Sequence, residues 1–161
     1  MELTPWAASW FLPFVTPICI YVAYMDMKSM RIPNPSVVAL FAVFAIVGLV
    51  ALPFDVYLWR YVHLVVALLI GMGLNAGGLV GAGDAKFVAA AAPFVALADL
   101  SQIALIFATA LLAAWLAHRV AKHTAIRRMF PDWDSWTMKK DFPMGLALGP
   151  TLVVYLATPF L

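Results

Sequence analysis

The sequence predicts an all-α integral membrane protein with six transmembrane helices, and two observations carry that expectation. Hydrophobic residues make up 65% of the chain and charged ones only 11%, with a mean hydropathy of +0.97. A soluble domain carries about 25% charged residues, so water is the wrong solvent for this composition. Apolar runs approaching about 20 residues, the length that crosses a bilayer core, also recur along the chain. A single polytopic domain over residues 1–161 follows, because no long polar stretch is left for a second, soluble one.

The first segment, Trp6–Met25, follows MELTPW, which lacks the basic start of a cleavable signal peptide, so it reads as a retained transmembrane helix. Ile32-Pro33 then forces an extended break, since proline disfavours a helical predecessor. Asn34-Pro35 reads as an N-cap followed by proline at the first helical position, opening the second segment, Pro35–Pro53. The third, Tyr57–Leu79, leads into Gly73, Gly77 and Gly81 at four-residue spacing, which permits close helix packing. His63 in that segment has no evident partner and reads as structural.

The fourth segment, Ala85–Ala98, is short. At 1.5 Å per residue it covers about 21 Å of a core about 30 Å thick, so either the glycine-rich approach dips into the membrane or the bilayer thins. Pro93 is placed to bend it. The fifth and sixth segments are Leu100–Ala117 and Pro143–Leu161. Between them, residues 118–142 mix basic residues with Phe130, Trp133, Trp136 and Phe142. Such a loop is expected in the membrane interface, with substrate docking as the other reading.

Charge placement orients the bundle. Lys28, Arg31, Lys86, Arg119, Lys122, Arg127, Arg128, Lys139 and Lys140 fall in the first, third and fifth loops, and only Arg60 lies opposite. By the positive-inside rule these loops are cytoplasmic and both termini are outside. Asp26 and Asp84, two crossings apart, then share the cytoplasmic side.

Those two aspartates are the candidate chemistry. An ionisable residue near the membrane interior is costly and is a functional candidate by default. Two carboxyl groups sharing one proton around a water can hydrolyse a peptide bond, because like charges push their pKa values apart. Gly81 and Gly83 in GAGDAK allow a tight turn and a close approach of substrate. Each residue also has a plainer reading. Asp84 fits an N-cap of the fourth helix. Asp26 fits an interfacial carboxylate balanced by Lys28 and Arg31, and Lys28 and Lys86 fit cations snorkelling to headgroups.

Other chemistries are excluded. Cys19 is the single cysteine, which rules out a disulfide framework or a thiolate metal cluster within one chain. The sequence holds no HExxH, its three histidines are scattered, and no GxSxG or nucleotide-binding glycine loop is present. No metal, cofactor or nucleic-acid partner is expected.

Asp26, Lys28, Arg31 and Ile32-Pro33-Asn34, followed by Gly81-Ala82-Gly83-Asp84-Ala85-Lys86, resemble the motifs of the prepilin peptidases, GxGD-type aspartic proteases of bacterial inner membranes. Phe142-Pro143-Met144-Gly145-Leu146-Ala147 is similar to the family's third motif, a Pro-x-Gly at the start of the last helix, with Met144 where many members carry an aromatic. The resemblance implies cleavage of the short basic leader of type IV prepilins or pseudopilins, after a glycine at the cytoplasmic membrane edge. It implies Asp26 and Asp84 as the catalytic pair. Larger members carry a CxxC-containing insertion and methylate the new N-terminus. With one cysteine and no such insertion, this chain resembles the short, peptidase-only form of Flp-type (tight-adherence) pili, without a zinc site or methyltransferase activity. Two rival readings are a non-enzymatic subunit of a pilus or secretion machine and a small proton-coupled transporter. The second is disfavoured because transporter carboxylates sit near mid-membrane.

Overall fold

A computed structural model describes residues 2–138 and 142–161. Lys139 and Lys140, counted above in the fifth loop, lie outside the described residues. The elements are α1 (Pro5–Ser29), α2 (Asn34–Ala51), α3 (Phe54–Ala76), α4 (Ala82–Ala91), α5 (Leu100–Lys122), the short α6 (Ile126–Met129) and α7 (Gly145–Ala157). Every regular element among the described residues is helical.

Among the described residues, four helices are long and apolar enough to cross a bilayer: Pro5–Ser29, Asn34–Ala51, Phe54–Ala76 and Leu97–Lys122. The expected fourth and sixth spans are shorter. α4 has 10 residues and gives way at Pro93 to a 3₁₀ turn over Ala92–Phe94. Proline lacks the N–H that would continue the α-helical ladder, so the bend expected there becomes a helix end. α7 has 13 residues before a 3₁₀ turn over Thr158–Phe160. At 1.5 Å per residue these α-helices reach about 15 and 20 Å, less than the core thickness.

Other boundaries also move. α1 runs past Met25 to Ser29, so Asp26 sits inside the last turn rather than beyond it. Its C-cap, Met30, adopts the left-handed conformation at φ 51° and ψ 37°, and its N–H donates to the Asp26 carbonyl at 2.8 Å. α5 continues to Lys122, so residues 118–122 of the expected interfacial loop are helix. Pro33, not Asn34, caps α2, and no side chain bonds to that helix's first N–H groups.

One end of the bundle gathers the C-terminal turns of α1 and α3 with the N-terminal turns of α2, α4 and α7. The other end gathers the chain start, the α2–α3 turn and residues 95–99. Phe11, Phe44 and Phe94 fill the interior between them, with ring centroids 4.9–6.1 Å apart. Lipid is as apolar as these rings, so van der Waals packing and hydrogen bonds must supply the cohesion.

Close approach of α1 and α7 is the clearest case. A Cβ on Gly149 would lie 2.7 Å from the Cys19 carbonyl oxygen, and one on Gly145 would lie 2.9 Å from Asp26 Cβ. Gly149 thus lets the two backbones meet, and Gly145 makes room for the Asp26 side chain. The Gly73-Gly77-Gly81 series does no such work: Gly73 faces open space, and Gly77 meets mainly its own helix. In α3 the packing glycine is Gly71, where an added Cβ would lie 3.0 Å from the Ala85 Cβ.

The end remote from Asp26 is closed by a buried polar cluster. Asp99, 3% exposed, accepts from the backbone N–H groups of Glu2 and Leu3 at 3.0–3.3 Å and from the Tyr155 hydroxyl at 2.9 Å. The Ala96 N–H donates to that hydroxyl at 3.1 Å, and Arg60 donates to the Pro93 carbonyl at 3.3 Å. His63 is not partnerless, because its Nδ1 lies 3.1 Å from the Val95 carbonyl, in keeping with a structural role.

Candidate active site

Asp26 and Asp84 come from different helices to one cavity of about 710 Å³. α1 delivers Asp26 from its last turn, where the side chain is 5% exposed. Its Oδ2 accepts a hydrogen bond of 2.6 Å from the backbone N–H of Gly145, at the start of α7. Helix N-termini present unpaired N–H groups and partial positive charge, so α7 suits a carboxylate there. Pro143, fully buried, sets that start, and its carbonyl accepts from the Leu146 N–H at 3.1 Å.

Asp84 lies in the first turn of α4 and is half-buried. It does not occupy the N-cap; Gly81 does, at φ −64° and ψ 142°. The Asp84 side chain instead turns back toward the Gly81 N–H, as third-position acids do in a capping box. A Cβ on Gly81 would lie 2.7 Å from Asp84 Oδ2. Gly81 is therefore small to seat this carboxylate, not to supply an unusual backbone angle. The tight turn falls at Gly78, with φ +70°, closed by Asn75 Nδ2 donating to the Val80 carbonyl at 2.8 Å.

Gly83 likewise makes room for the protein itself. A Cβ there would lie 3.3 Å from the Ile32 Cβ, so the first turn of α4 rests on the loop between α1 and α2. Lys86 ties the same elements, its Nζ donating to Asn34 Oδ1 at 3.2 Å. Asn34, expected to cap α2, thus turns its side chain to α4.

α4 is not among the helices long and apolar enough to span, and burial there pushes the Asp84 carboxyl up to about 6. The nearby Asp26 charge adds to the rise, while the Gly81 N–H works against it. Like charges resist joint ionisation, so Asp84 keeps its proton to a higher pH than an isolated carboxyl does.

Asp26, Asp84, Gly81, Gly83, Lys86 and Asn34 all line the cavity. Pro33, Pro143 and Gly145 do not, and act from behind by capping α2 or shaping the start of α7. Met138, Phe142 and Met144 also line it. Phe142 and Met144 belong to the third motif of the resemblance, whereas Met138 carries no sequence signal. Among the described residues, no three His, Cys, Asp or Glu side chains group closely enough to hold a metal ion.

The aromatic part of residues 118–142 is largely packed on protein. Trp136, 2% exposed, stacks on His118 at 5.2 Å and Trp133 at 5.7 Å, and donates from Nε1 to the Phe130 carbonyl at 2.8 Å. Trp133 meets Tyr24 of α1 edge-on at 5.8 Å, two residues before Asp26. The stack braces the turn that carries Asp26.

A family model described as the type IV leader peptidase family matches residues 14–118, more than half of the chain. No curated protein and no solved structure matches it. The matched span contains Asp26 and Asp84, whereas Pro143 and Gly145 lie beyond it. The chain belongs to the type IV leader peptidase family, a family of proteases.

Proposed function

We propose that the protein is an aspartic endopeptidase that removes the leader of type IV prepilins or pseudopilins at the cytoplasmic face of a bacterial inner membrane. Asp26 and Asp84 form its catalytic pair. One observation carries the reading: two carboxylates from separate helices line a single cavity in a chain of the leader peptidase family.

In this mechanism the ionised aspartate takes a proton from water as its oxygen bonds to the scissile carbonyl carbon. The protonated aspartate donates to the carbonyl oxygen. Collapse of the tetrahedral species breaks the C–N bond, and the amine leaves with a proton from the pair. An Asp84 carboxyl raised to about 6 supports a proton shared by the pair up to that pH, and the pair titrates as a unit. The basic residues of the first, third and fifth loops support the cytoplasmic face. The single, buried cysteine supports the peptidase-only form and an Flp-type pilin substrate.

The test is reconstitution in vesicles with a synthetic membrane peptide carrying a basic leader, a cleavage glycine and an apolar helix. Mass spectrometry should find cleavage after the glycine, unaffected by a metal chelator. A folded protein that leaves this peptide and several pilin candidates intact would make a non-enzymatic subunit the better account.

A further inference from the structure

α2 and α3 are joined by the short Leu52-Pro53 turn, yet they do not stay together. Near that turn they are locked: the Tyr57 hydroxyl donates to the Ala45 carbonyl at 2.9 Å, and Phe44 stacks on Tyr57 at 5.6 Å and meets Tyr61 at 5.4 Å. Farther along, α4 enters between them and a groove of about 270 Å³ opens. Val38 and Phe41 of α2 form one wall, Leu64 and Leu68 of α3 the other, and Ala89 and Ala90 of α4 the floor.

We infer that this groove receives the apolar helix of a membrane-anchored substrate, just beyond the bond that Asp26 and Asp84 cut. The inference rests on the peptidase reading. Its first support is continuity, because Lys86 lines both the groove and the cavity of the aspartates. The second is direction. A leader is N-terminal to its cleavage site, so the apolar segment that follows must run from the carboxylates into the bilayer. The groove follows α4 from Lys86 to Ala90, about 6 Å or roughly one helical turn, away from Asp84.

The third support is shape. Small residues between bulky walls form a hole for a side chain of another helix, which is how helices associate in lipid. α5 packs against α7 and lends no residue to the groove, and its Leu105 and Leu112 are each 68% exposed. The groove therefore selects a substrate helix with a bulky apolar side chain on the face that meets Ala89 and Ala90.

The experiment uses the full chain with Asp84→Asn to slow turnover, in vesicles of phosphatidylethanolamine and phosphatidylglycerol. The probe is the synthetic membrane peptide with one cysteine in its apolar helix. Cys19 is buried and gives no background, so single replacements Val38→Cys, Leu68→Cys and Leu105→Cys can each be joined to the peptide by a bismaleimide. Cross-linking at positions 38 and 68 should exceed that at 105 by about tenfold. Equal yields at the three positions would overturn the inference and leave the groove an ordinary lipid-facing surface.

A second variant, Val38→Trp in the otherwise unaltered chain, fills the groove. It should slow cleavage of the anchored peptide by about tenfold or more and spare a soluble peptide lacking the apolar helix. Equal slowing of both peptides would count against docking. Selective cross-linking without cleavage by the unaltered chain would keep the groove and remove the peptidase reading.

Discussion

Gly145→Ala is the substitution that most directly probes how Asp26 is held. The added Cβ would lie 2.9 Å from Asp26 Cβ, 3.1 Å from Oδ2 and 3.3 Å from Cγ. The first distance is shorter than a carbon contact allows, so α7 or the end of α1 must move. Movement stretches the 2.6 Å bond from the Gly145 N–H to the carboxylate. Overpacking costs about 1–3 kcal/mol, and losing a hydrogen bond to a charged group about 1.5–3 kcal/mol. Alanine in place of glycine returns only about 0.5–1 kcal/mol of helix preference. The net loss is about 2–5 kcal/mol. If the carboxylate shifts by about 1 Å, turnover should fall about 100-fold. The assay pairs thermal unfolding in detergent with cleavage of the reconstituted peptide. Gly73→Ala is the control: that glycine faces open space, so it should gain up to about 1 kcal/mol and keep full turnover. A Gly145→Ala protein that cleaves like wild type would refute the claim that α7 positions Asp26.

Cleavage should decline as pH rises through about 6, because the pair then loses its shared proton; a flat profile from pH 5 to 8 would contradict this. The folded chain holds the Asp84 proton to a higher pH than the unfolded chain, whose ordinary value is 3.8. Its stabilising contribution is full below that value and is lost as pH rises through about 6. Asp84→Asn should therefore unfold at a higher temperature than wild type at pH 7.5, with the gap closing near pH 4. Lys86→Met should leave the alkaline limb of the rate profile in place, since Lys86 turns to Asn34; an upward shift of that limb would show that Lys86 tunes Asp84. Trp136→Ala removes the centre of the aromatic stack, at about 3–5 kcal/mol, and trypsin should then cut faster at Arg127 and Arg128. An unchanged digestion rate would count against a packed loop.

Much of the fold was legible because composition dictates it. A chain with this hydropathy must satisfy its backbone within helices, and apolar length marks the long ones. What sequence did not reveal was how long each helix runs. Apolarity alone cannot show that α4 stops at Ala91, because Pro93 ends the α-helix while apolar residues continue past it. Boundaries slipped for a related reason: His118–Lys122 are polar enough to read as loop, yet they extend α5 as its last turn.

Glycine spacing shows the same limit. The Gly73-Gly77-Gly81 series reads as a packing stripe, while between α1 and α7 it is Gly149 that meets the Cys19 backbone and Gly145 that meets the Asp26 side chain. Only the tertiary partner distinguishes them. Asp26 and Asp84 stand out in the sequence because carboxylates at membrane helix ends demand an account. Asp99 makes the same demand, but its explanation lies in Glu2, Leu3 and Tyr155, far away in sequence. Trp136 read as an interfacial aromatic because nothing local announces that His118 and Trp133 will enclose it.

The central claim is that Asp26 and Asp84 act together on one peptide bond. The most direct measurement is cleavage of a co-expressed prepilin with a glycine-terminated leader by wild type, Asp26→Asn and Asp84→Asn at matched membrane abundance. Asparagine keeps the shape and much of the hydrogen bonding of aspartate but can neither accept the water proton nor donate an acidic one. The account predicts processing by wild type and none by either variant, with both variants folded. Processing that survives in either variant would contradict the pair.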